Sequence, residues 1–527
     1  MNKLIRLFLT ASTLLLATIA YSQSPNPLYQ HLPPSANHIY SIRLGQVIAK
    51  GELAGLLGSI PMKDPNTAKI FAIVKDPASA GVDLNYEILV AETIATGIGA
   101  DTLSFTQILV PLTDTAKFRT TFANVMERGL HIYRLPGKGA PTYGGMAGVA
   151  WNAQLLVFTR VTGVSSNLNP ASPGLSGKLA DEKSLATLTG FSGTPWLTDQ
   201  RFLTGFASDE DVHAWIFKMS LTPFMSKFIK QMKAMDTTMG GNALSEDYLG
   251  HWNQTPHPPS LMTFNFEKGR IVLRMTTYNT PEDAALLQRV FDQPLNKDLL
   301  ARVPGEPLLG FSAVHFNPAA LPDFLDKHHT LQMINSVLGK EGLSVNDLSA
   351  VFGGDILFAA VGDTTAITDT TKKKVKMYFV ATLGDPTKLM QLTAKLAAAG
   401  NASTDTAKAA RMKKLADKMM IRDNLLVISG SHEMAQKYFD NSTRRPTDLL
   451  DGKRMQYAMV DLKAASALVT ATMSNNPKAL MAARILEKLD KIEIGSSLTD
   501  GNTVVTFQIV TGDPSTNSLK TLVGLLH

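Results

Sequence analysis

Residues 104–118 read SFTQILVPLTDTAKF, which is an apolar run, a turn around Asp114, and then apolar side chains at helical spacing. Residues 377–389 read MYFVATLGDPTKL and follow the same plan, with Asp385 at the turn. An apolar run bounded by turn residues predicts a strand. An Asp that precedes a helical pattern predicts the helix N-cap, because its carboxylate accepts from free backbone N–H groups. The sequence therefore predicts one strand-and-helix unit that occurs twice.

The segments that follow these two stretches also match. Residues 148–158 and 420–428 each predict two short strands around a polar turn. Both halves then close with a hairpin and a helix: the hairpin turns are Lys268-Gly269 and Asp500-Gly501, and the helices open at Thr280-Pro281 and Asp513-Pro514. We therefore predict an α+β fold of two related halves, each a largely antiparallel sheet with hairpins and packed amphipathic helices. The polar stretches 165–195, 237–259 and 363–376 predict surface loops.

The N-terminus has the layout of a secretory signal peptide. Lys3 and Arg6 precede an apolar run from Leu7 to Ala20, and Ala20-Tyr21-Ser22 then places small residues at the positions that signal peptidase reads. The run is shorter than the roughly 20 residues of a membrane-spanning helix. We expect cleavage after Ser22, and no later apolar stretch predicts a transmembrane helix.

The length of the chain predicts more than one domain. Single cores rarely grow beyond about 250 to 300 residues, and this chain has 527. We place the boundary between the halves near residues 294–304. The predicted parts are a signal peptide at 1–22, an N-terminal α+β half at 23–300 and a C-terminal α+β half at 301–527.

Composition excludes several classes of function. The chain contains no cysteine, which excludes disulfides, Cys-based zinc sites, iron–sulfur clusters, thiol nucleophiles and lipid attachment through an N-terminal cysteine. Its formal net charge is +6, and the only dense basic run is Lys372-Lys373-Lys374. A dedicated nucleic-acid-binding protein normally carries a longer basic stripe. We therefore predict no nucleic-acid partner.

Several short segments are similar to those of a known family. They are the Pro33-Pro34-Ser35-Ala36 opening, Gly81-Val82-Asp83 with the strand to Val90, residues 112–118, Ala150-Trp151-Asn152, and residues 208–215. Together they resemble a family of secreted Bacteroidota proteins that is classed only as a domain of unknown function. The resemblance implies an envelope location and brings no catalytic residues. Many members are lipoproteins, whereas this chain lacks the lipobox cysteine, so we expect a soluble protein in the periplasm or outside the cell.

One acidic cluster with a histidine is a candidate metal site. Asp209, Asp211 and His213 carry the carboxylate and imidazole groups that bind Ca²⁺, Mn²⁺ or Zn²⁺. The alternative is structural: Ser208 with Asp211 three residues later approximates a capping box at the start of a helix. We favour the helix cap, and we predict neither a metal nor a cofactor.

Other motifs give no catalytic site. His432-Glu433 would need a second histidine at 436 to begin a zinc-protease helix, and that position is Gln436. Gly353-Gly354-Asp355 predicts a tight turn before a strand. The remaining histidine pairs, His251 with His257 and His328-His329, have no third ligand at motif spacing. The sequence contains no Gly-x-Ser-x-Gly elbow, no Walker loop and no Gly-x-Gly-x-x-Gly after a strand. A triad assembled from distant positions stays open.

Two further sequence patterns concern the surface of the protein. Residues 221–235 form a basic amphipathic pattern, which we expect to pack on its own sheet rather than to lie on a membrane. An Asp-Thr pattern followed by a small or aliphatic residue or Thr resembles the O-glycosylation acceptor of exported Bacteroidota proteins. It occurs at Thr102, Thr237, Thr364, Thr370 and Thr406, and also at Thr115, where the predicted helix start competes with it.

These observations favour a non-enzymatic exported envelope protein. In this hypothesis a tandem α+β scaffold binds a partner protein, a glycan or an apolar ligand. The alternative is an envelope hydrolase with an unrecognised Ser/His/Asp or paired-carboxylate site. A histidine and a carboxylate that converge on an exposed serine would favour the hydrolase, whereas an apolar groove would favour binding.

Overall fold

A computed structural model describes most of the chain after the first 25 residues. The described ranges are 26–52, 76–98, 101–121, 147–163, 173–216, 258–305, 307–328, 330–339, 342–362, 375–402, 418–450, 452, 454–472 and 476–525. Within them the fold contains helices and antiparallel strands, so the predicted α+β class is confirmed. None of the helices in these ranges is long and apolar enough to cross a membrane.

The strands are numbered in chain order. They are β1 His38–Ile42, β2 Ile88–Ile98, β3 Asp101–Pro111, β4 Ala147–Trp151, β5 Leu155–Gly163, β6 Val212–Ile216, β7 Ser260–Glu267, β8 Arg270–Thr277, β9 Leu308–His315, β10 Phe352–Gly362, β11 Val375–Leu383, β12 Met419–Arg422, β13 Leu425–Ser429, β14 Gln456–Asp461, β15 Leu489–Thr499 and β16 Asn502–Thr511.

The helices are numbered in the same way. They are α1 Leu44–Gly51, α2 Thr115–Thr121, α3 Pro173–Thr189, α4 Gln200–Phe206, α5 Pro281–Val290, α6 Lys297–Ala301, α7 Leu321–Lys327, α8 Leu331–Gly339, α9 Val345–Val351, α10 Pro386–Ala402, α11 His432–Asp440, α12 Leu462–Thr472, α13 Pro477–Glu487 and α14 Ser518–Gly524. Short 3₁₀ helices lie at Pro27–His31, Pro77–Ala80, Pro195–Leu197 and Asp448–Leu450.

The chain divides into two compact units. Unit 1 comprises Met1–Lys218, Pro259–Phe266 and Leu522–His527, and unit 2 comprises Met219–Pro258 and Glu267–Thr521. The segment with β8, α5 and α6 thus belongs to unit 2, whereas the sequence-based boundary at 300/301 assigned it to the N-terminal half.

Unit 1 contains an antiparallel sheet with the strand order β7-β6-β1-β2-β3-β5-β4. Phe202 of α4 lies at the centre of an aromatic cluster on this unit. Its ring stacks on Phe206 with centroids 4.3 Å apart, meets Trp215 of β6 edge-on at 5.7 Å, and lies 5.2 Å from Tyr29. Trp196 lies 5.5 Å from the same ring, and its indole N–H donates to Pro33 O. These contacts pack α4 and the 3₁₀ segments against the sheet.

Unit 2 contains an antiparallel sheet with the order β12-β13-β11-β10-β9-β14-β15-β16-β8. Its largest core joins α6 and α11 to the central strands and includes Leu299, Phe311, Leu357, Val427 and Tyr438. The Tyr438 hydroxyl donates to Leu299 O over 2.8 Å, so the phenol of α11 satisfies a backbone carbonyl of α6 inside this core.

The local predictions at helix starts and hairpins are largely confirmed. The Asp114 carboxylate accepts from Ala116 N and Lys117 N at 2.9 and 3.0 Å, and the Asp385 carboxylate accepts from Thr387 N and Lys388 N at 2.9 and 3.1 Å. Thr280 caps α5 through the Asp283 amide, at 3.1 Å. Asp500 and Gly501 join β15 to β16 with φ values of 50° and 77°, and Gly269, between β7 and β8, has φ 72°. The residue types at these caps and turns were therefore sufficient to predict them from the sequence.

Three local predictions are wrong. The predicted loop 165–195 contains α3, a helix of 17 residues. The residues after Ser208 form β6 and not a capped helix, because Val212–Ile216 pairs with β1 and β7 and those pairings outweigh the local capping pattern. The last helix begins at Ser518 and not at Asp513-Pro514, where the Asp513 carboxylate instead accepts from Ser515 and Thr516 in a turn.

Candidate functional site

The three candidate metal ligands of the sequence lie on the turn before β6 and at the start of that strand, and their side chains have different partners. The Asp209 carboxylate is exposed and accepts from Arg43 Nη1 at 2.8 Å and from Gln46 Nε2 at 2.7 Å. The Asp211 carboxylate is buried; Lys50 Nζ lies 2.9 Å from it, and Phe266 N–H donates to it over 2.7 Å. Within the described residues, no group of three acidic or histidine side chains is arranged to hold a metal ion. The geometry therefore gives these carboxylates the role of structural ion pairs.

His213 is fully buried between two serine hydroxyls. Nδ1 lies 3.2 Å from Ser41 Oγ, and Nε2 lies 2.9 Å from Ser208 Oγ. The Ser208 hydroxyl donates to Gly205 O at 2.8 Å, so its proton is not available to the ring. We assign the proton of the neutral ring to Nε2, which donates to Ser208, while Nδ1 accepts from Ser41.

Burial and, to a smaller extent, the positive charge of Arg43 lower the pKa of His213 to about 4. The ring is therefore neutral near neutral pH. It is the described site that most resembles a Ser–His pair, but it has a serine where a catalytic triad has a carboxylate, and substrate has no access to it. The arrangement suits a structural hydrogen-bond bridge between β1 and the turn after α4.

Arg43 joins two carboxylates at the end of β1. Its Nε donates to Glu87 Oε1 at 3.1 Å, and its Nη1 donates to Asp209. Tyr29 OH lies 3.5 Å from Glu87 Oε2, and burial followed by the Glu87 charge raises the pKa of Tyr29. We call Arg43, Glu87 and Asp209 the arginine junction. It connects the start of β2 to the turn that precedes β6.

His315 joins two carboxylates at the end of β9 in unit 2. Nδ1 lies 2.8 Å from Asp355 Oδ1 of β10, and Nε2 lies 3.0 Å from Asp292 Oδ1, just after α5. The amide of Asn296 donates to Asp355 Oδ2, and that of Asn317 donates to Asp292 Oδ2, both at 3.1 Å. We call these five residues the histidine junction.

The two carboxylates of this junction set the protonation of His315. The hydrogen bond with Asp355 raises the pKa of His315 above its usual value, burial opposes the rise, and Asp292 adds to it. The sequence did not identify this site. Asp355 was noted only as part of a turn, and Asp292 and His315 lie in segments without a spacing pattern. Asp292 and Asp355 are 23 and 40 residues away from His315 in the sequence. A single sequence gives no sign that residues this far apart are in contact.

Unit 2 also carries an apolar sheet face with exposed side chains. Phe358 is 52% exposed and Met377 is 63% exposed, and Val460 and Ile494 are also exposed. Strand registers place them on one face: Phe358 is opposite Phe379 and Ser312, Met377 is opposite Ala360, Val460 is opposite Gly310, and Ile494 is opposite Ala458. Gly310, Ser312, Ala360 and Ala458 thus form a floor of small residues between larger apolar side chains. We call this surface the open face.

The remaining sequence candidates are dispersed. Thr102 lies in β3, and Thr115 is the first residue of α2. Gly354 has φ 105° and Asp355 follows it in β10. His432 begins α11, and His328 follows α7, where its ring lies 4.5 Å from that of Phe324. Outside the described residues lie Thr237, Thr364, Thr370, Thr406, the stretch 221–235, His251, His257, His329 and the signal-peptide region 1–22.

Comparisons with known proteins add little. No family model matches the chain, and no curated protein matches it. Crystal forms I and IV of TP0453 are similar at 11% identity and a TM-score of 0.25. The matches cover 52% and 53% of this chain and 88% and 90% of those chains. A likeness at this level supports no argument about fold or function.

Proposed function

We propose that the protein is a non-enzymatic exported scaffold that binds an apolar segment of a partner protein on the open face of unit 2. The observation that carries the proposal is the exposure of Phe358, Met377, Val460 and Ile494 on one side of one sheet. Soluble proteins rarely expose neighbouring large apolar side chains, and such patches mark interaction sites. A glycan is disfavoured because its recognition needs several polar side chains, and among the four floor residues only Ser312 has one.

The dimensions of the open face suit an α-helix. Neighbouring strands lie about 4.8 Å apart, and β9 lies between β10, which carries Phe358, and β14, which carries Val460. The two flanking side chains are therefore roughly 10 Å apart, close to the diameter of a helix with its side chains. An amphipathic helix with its apolar side on Gly310 and Ser312 would be flanked by Phe358 and Val460.

The polar clusters of the described residues support a binding role over catalysis. His213 and the arginine junction hold their polar groups in internal contacts, and the ring of His315 faces only carboxylates. A nucleophilic serine needs a base that is accessible to substrate and oriented by a third group. Neither histidine has that arrangement, so the hydrolase alternative has no support from these contacts.

The proposal includes a duplication, which strand order supports. Unit 1 has the order β7-β6-β1-β2-β3-β5-β4, and unit 2 contains β15-β14-β9-β10-β11-β13-β12, the same order with every label raised by eight. Both units pair strands that are far apart in the sequence: β6 pairs with β1 in unit 1, and β14 pairs with β9 in unit 2. Two unrelated domains would not be expected to share this path, since many orders are open to seven strands.

Matched hydrogen bonds give the duplication a residue-by-residue register. Leu112 N–H donates to Gln154 O over 2.8 Å, and Leu383 N–H donates to Asn424 O over the same 2.8 Å. The next residues, Thr113 and Gly384, donate to Gly81 O and Val351 O, both at 2.9 Å. Leu112 and Leu383 therefore correspond, and both lie two residues before the aspartate that caps the following helix.

Export is the part of the proposal that rests on the N-terminal sequence. The positive, apolar and small-residue regions in residues 1–22 and the resemblance to secreted proteins support it, and the absence of cysteine supports a form without a lipid anchor. Cleavage after Ser22 predicts a mature chain that begins at Gln23. N-terminal sequencing of the protein from the envelope fraction tests this, and a chain that retains Met1 contradicts it.

Binding at the open face is tested with the dye 1-anilinonaphthalene-8-sulfonate. We expect the full chain to increase the dye fluorescence, and we expect the double variant Phe358→Ser/Met377→Ser to lose most of the increase. The control is Met390→Ser/Met481→Ser, which removes two equally exposed methionines from α10 and α13. Circular dichroism establishes that both variants fold. Retention of the fluorescence by the first double variant, or an equal loss in both, contradicts the proposal.

A further inference from the structure

We propose that His315 is a proton-operated latch that holds the connection after α5 on the sheet of unit 2 and releases it when the imidazolium loses its proton. The latch is the histidine junction: the ring at the end of β9, Asp355 on β10 and Asp292 just after α5. It is a conformational device that is independent of what binds to the open face.

The geometry requires two protons on the ring. Nδ1 and Nε2 both lie within hydrogen-bond distance of carboxylate oxygens, at 2.8 and 3.0 Å. An ionised carboxylate only accepts hydrogen bonds, so both nitrogens must donate. Only the imidazolium has two N–H groups. A neutral ring would direct the lone pair of one nitrogen at a negative oxygen, and that contact is repulsive.

The two carboxylates differ in how firmly they are held. Asp355 has a side chain only 16% exposed, belongs to β10, and accepts from Asn296 Nδ2, while its own backbone N–H donates to Thr382 Oγ1 at 2.9 Å. Asp292 has a side chain 37% exposed and lies in the connection between α5 and α6. When one proton leaves, the remaining proton stays on Nδ1 toward Asp355, and Asp292 turns toward solvent.

The surroundings of the ring limit which part of the structure moves. Asn317 donates to Asp292 from the segment after β9, and its backbone N–H donates to Val290 O at the end of α5, at 2.6 Å. The α5 helix has two further ion pairs with α7, Arg289 with Asp323 and Lys327 with Asp283. These contacts do not involve His315, and Leu295 is buried in the core of unit 2. Deprotonation therefore loosens residues 291–294 and leaves α5 on α7.

Unit 1 has an arginine, Arg43, at the register position that His315 occupies in unit 2. Ile108 of β3 is opposite Val90, which is opposite Tyr40, and Phe379 of β11 is opposite Phe358, which is opposite Ser312. Arg43 lies three residues after Tyr40, and His315 lies three residues after Ser312. Arginine keeps its charge at every physiological pH, whereas histidine does not. The second carboxylate comes from a different segment in each unit, Asp209 before β6 and Asp292 after α5. The cation at this register position is therefore permanent in unit 1 and dependent on the proton in unit 2.

The pH range follows from the direction of the pKa shift. Asp355, and to a smaller extent Asp292, raise the pKa of His315 above its usual value of about 6.5. The bridge is complete below that value. It is lost as the pH rises through the higher pKa of the folded protein.

Hydrogen exchange of the full-length chain at about pH 6 and about pH 9 tests the latch. After correction for the intrinsic rate, we expect the amides of residues 291–293 to exchange at least about tenfold faster at the higher pH, because a hydrogen bond to a charged group is lost. We expect His315→Gln to exchange fast at both values. We expect Asp292→Asn to exchange slowly at both, because the neutral amide can donate to the ring nitrogen.

A matched control separates the latch from general alkaline loosening. His328→Gln, in the turn after α7, changes another histidine near α5 and should keep the wild-type pH dependence. Equal exchange of residues 291–293 at both pH values in the wild-type chain overturns the proposal. So does a pH dependence that persists unchanged in Asp292→Asn.

Discussion

His213 in unit 1 and His315 in unit 2 are both largely buried, yet their pKa values are shifted in opposite directions. His213 lies between two hydroxyl groups, and burial lowers its pKa to about 4. His315 lies between two carboxylates, which raise its pKa. Burial disfavours the cation at both sites, so the difference comes from the partners.

The opposite shifts give the two units opposite responses to pH. His213 is neutral in the folded state, whereas an unfolded histidine takes up a proton below about pH 6.5. Unit 1 therefore loses stability as the pH falls. His315 is protonated in the folded state and unprotonated in the unfolded state just above that value, so unit 2 loses stability as the pH rises.

The largest expected effect is the acid sensitivity of unit 1. Between about pH 6.5 and pH 4, the lowered pKa of His213 should reduce the free energy of unfolding by roughly 3 kcal/mol. His213→Gln keeps an amide that can bond both serines but does not titrate, so it should remove this part of the pH dependence. Urea unfolding monitored by tryptophan fluorescence measures the difference, because three of the four tryptophans, Trp151, Trp196 and Trp215, lie in unit 1.

The matched control for this measurement is His31→Gln, a change in the same unit that should leave the acid dependence as it is. His31 Nδ1 lies 2.9 Å from Thr187 O at a partly exposed position. If His213→Gln and the wild-type chain lose stability in parallel as the pH falls, then the contrast between the two histidines is wrong.

A smaller effect is expected when one carboxylate of the histidine junction is neutralised. Asp355→Asn should lower the pKa of His315, because it removes the partner with the largest influence on the ring. Asp292→Asn should lower it by less. Titration of the His315 ring by NMR measures both values. A larger shift from Asp292→Asn would reverse the order of the two carboxylates that the geometry gives.

The smallest effect is expected when the arginine of the arginine junction is replaced by a histidine. Arg43→His places a titratable ring between Glu87 and Asp209, so unit 1 should become less stable at about pH 8 than at about pH 6, by about 1 kcal/mol. Fluorescence-monitored urea unfolding at the two pH values measures the change. Arg160→His, at an exposed arginine on β5 of the same unit, serves as the control. An unchanged pH dependence in Arg43→His would break the proposed correspondence of Arg43 with His315.

Much of the fold could be predicted because its determinants are local. The aspartates at 114 and 385 cap helices through amides two and three residues away, and Asp500-Gly501 adopts the positive φ angles that a tight hairpin needs. The same local logic failed after Ser208, where a capping pattern lies before a strand. There the pairing of β6 with β1 and β7 decides the structure, and those strands are remote in sequence.

The candidate sites could be predicted much less well. Asp209, Asp211 and His213 are neighbours in sequence, but their side chains contact Arg43, Lys50 and Ser41 from other segments. The open face is equally hidden in the sequence, because Phe358 and Met377 look like ordinary strand residues. Their exposure depends on which face of the sheet the helices of unit 2 cover.

The sequence by itself determined the α+β class, the helix caps and the hairpin turns, because these follow from backbone preferences and periodicity over a few residues. It also supplied the basis for the export hypothesis. Only the tertiary structure decided the protonation of the histidines and the position of the open face. The charge on an imidazole depends on groups within a few ångströms, and in this chain those groups come from residues 172 apart at Ser41 and His213 and 40 apart at His315 and Asp355.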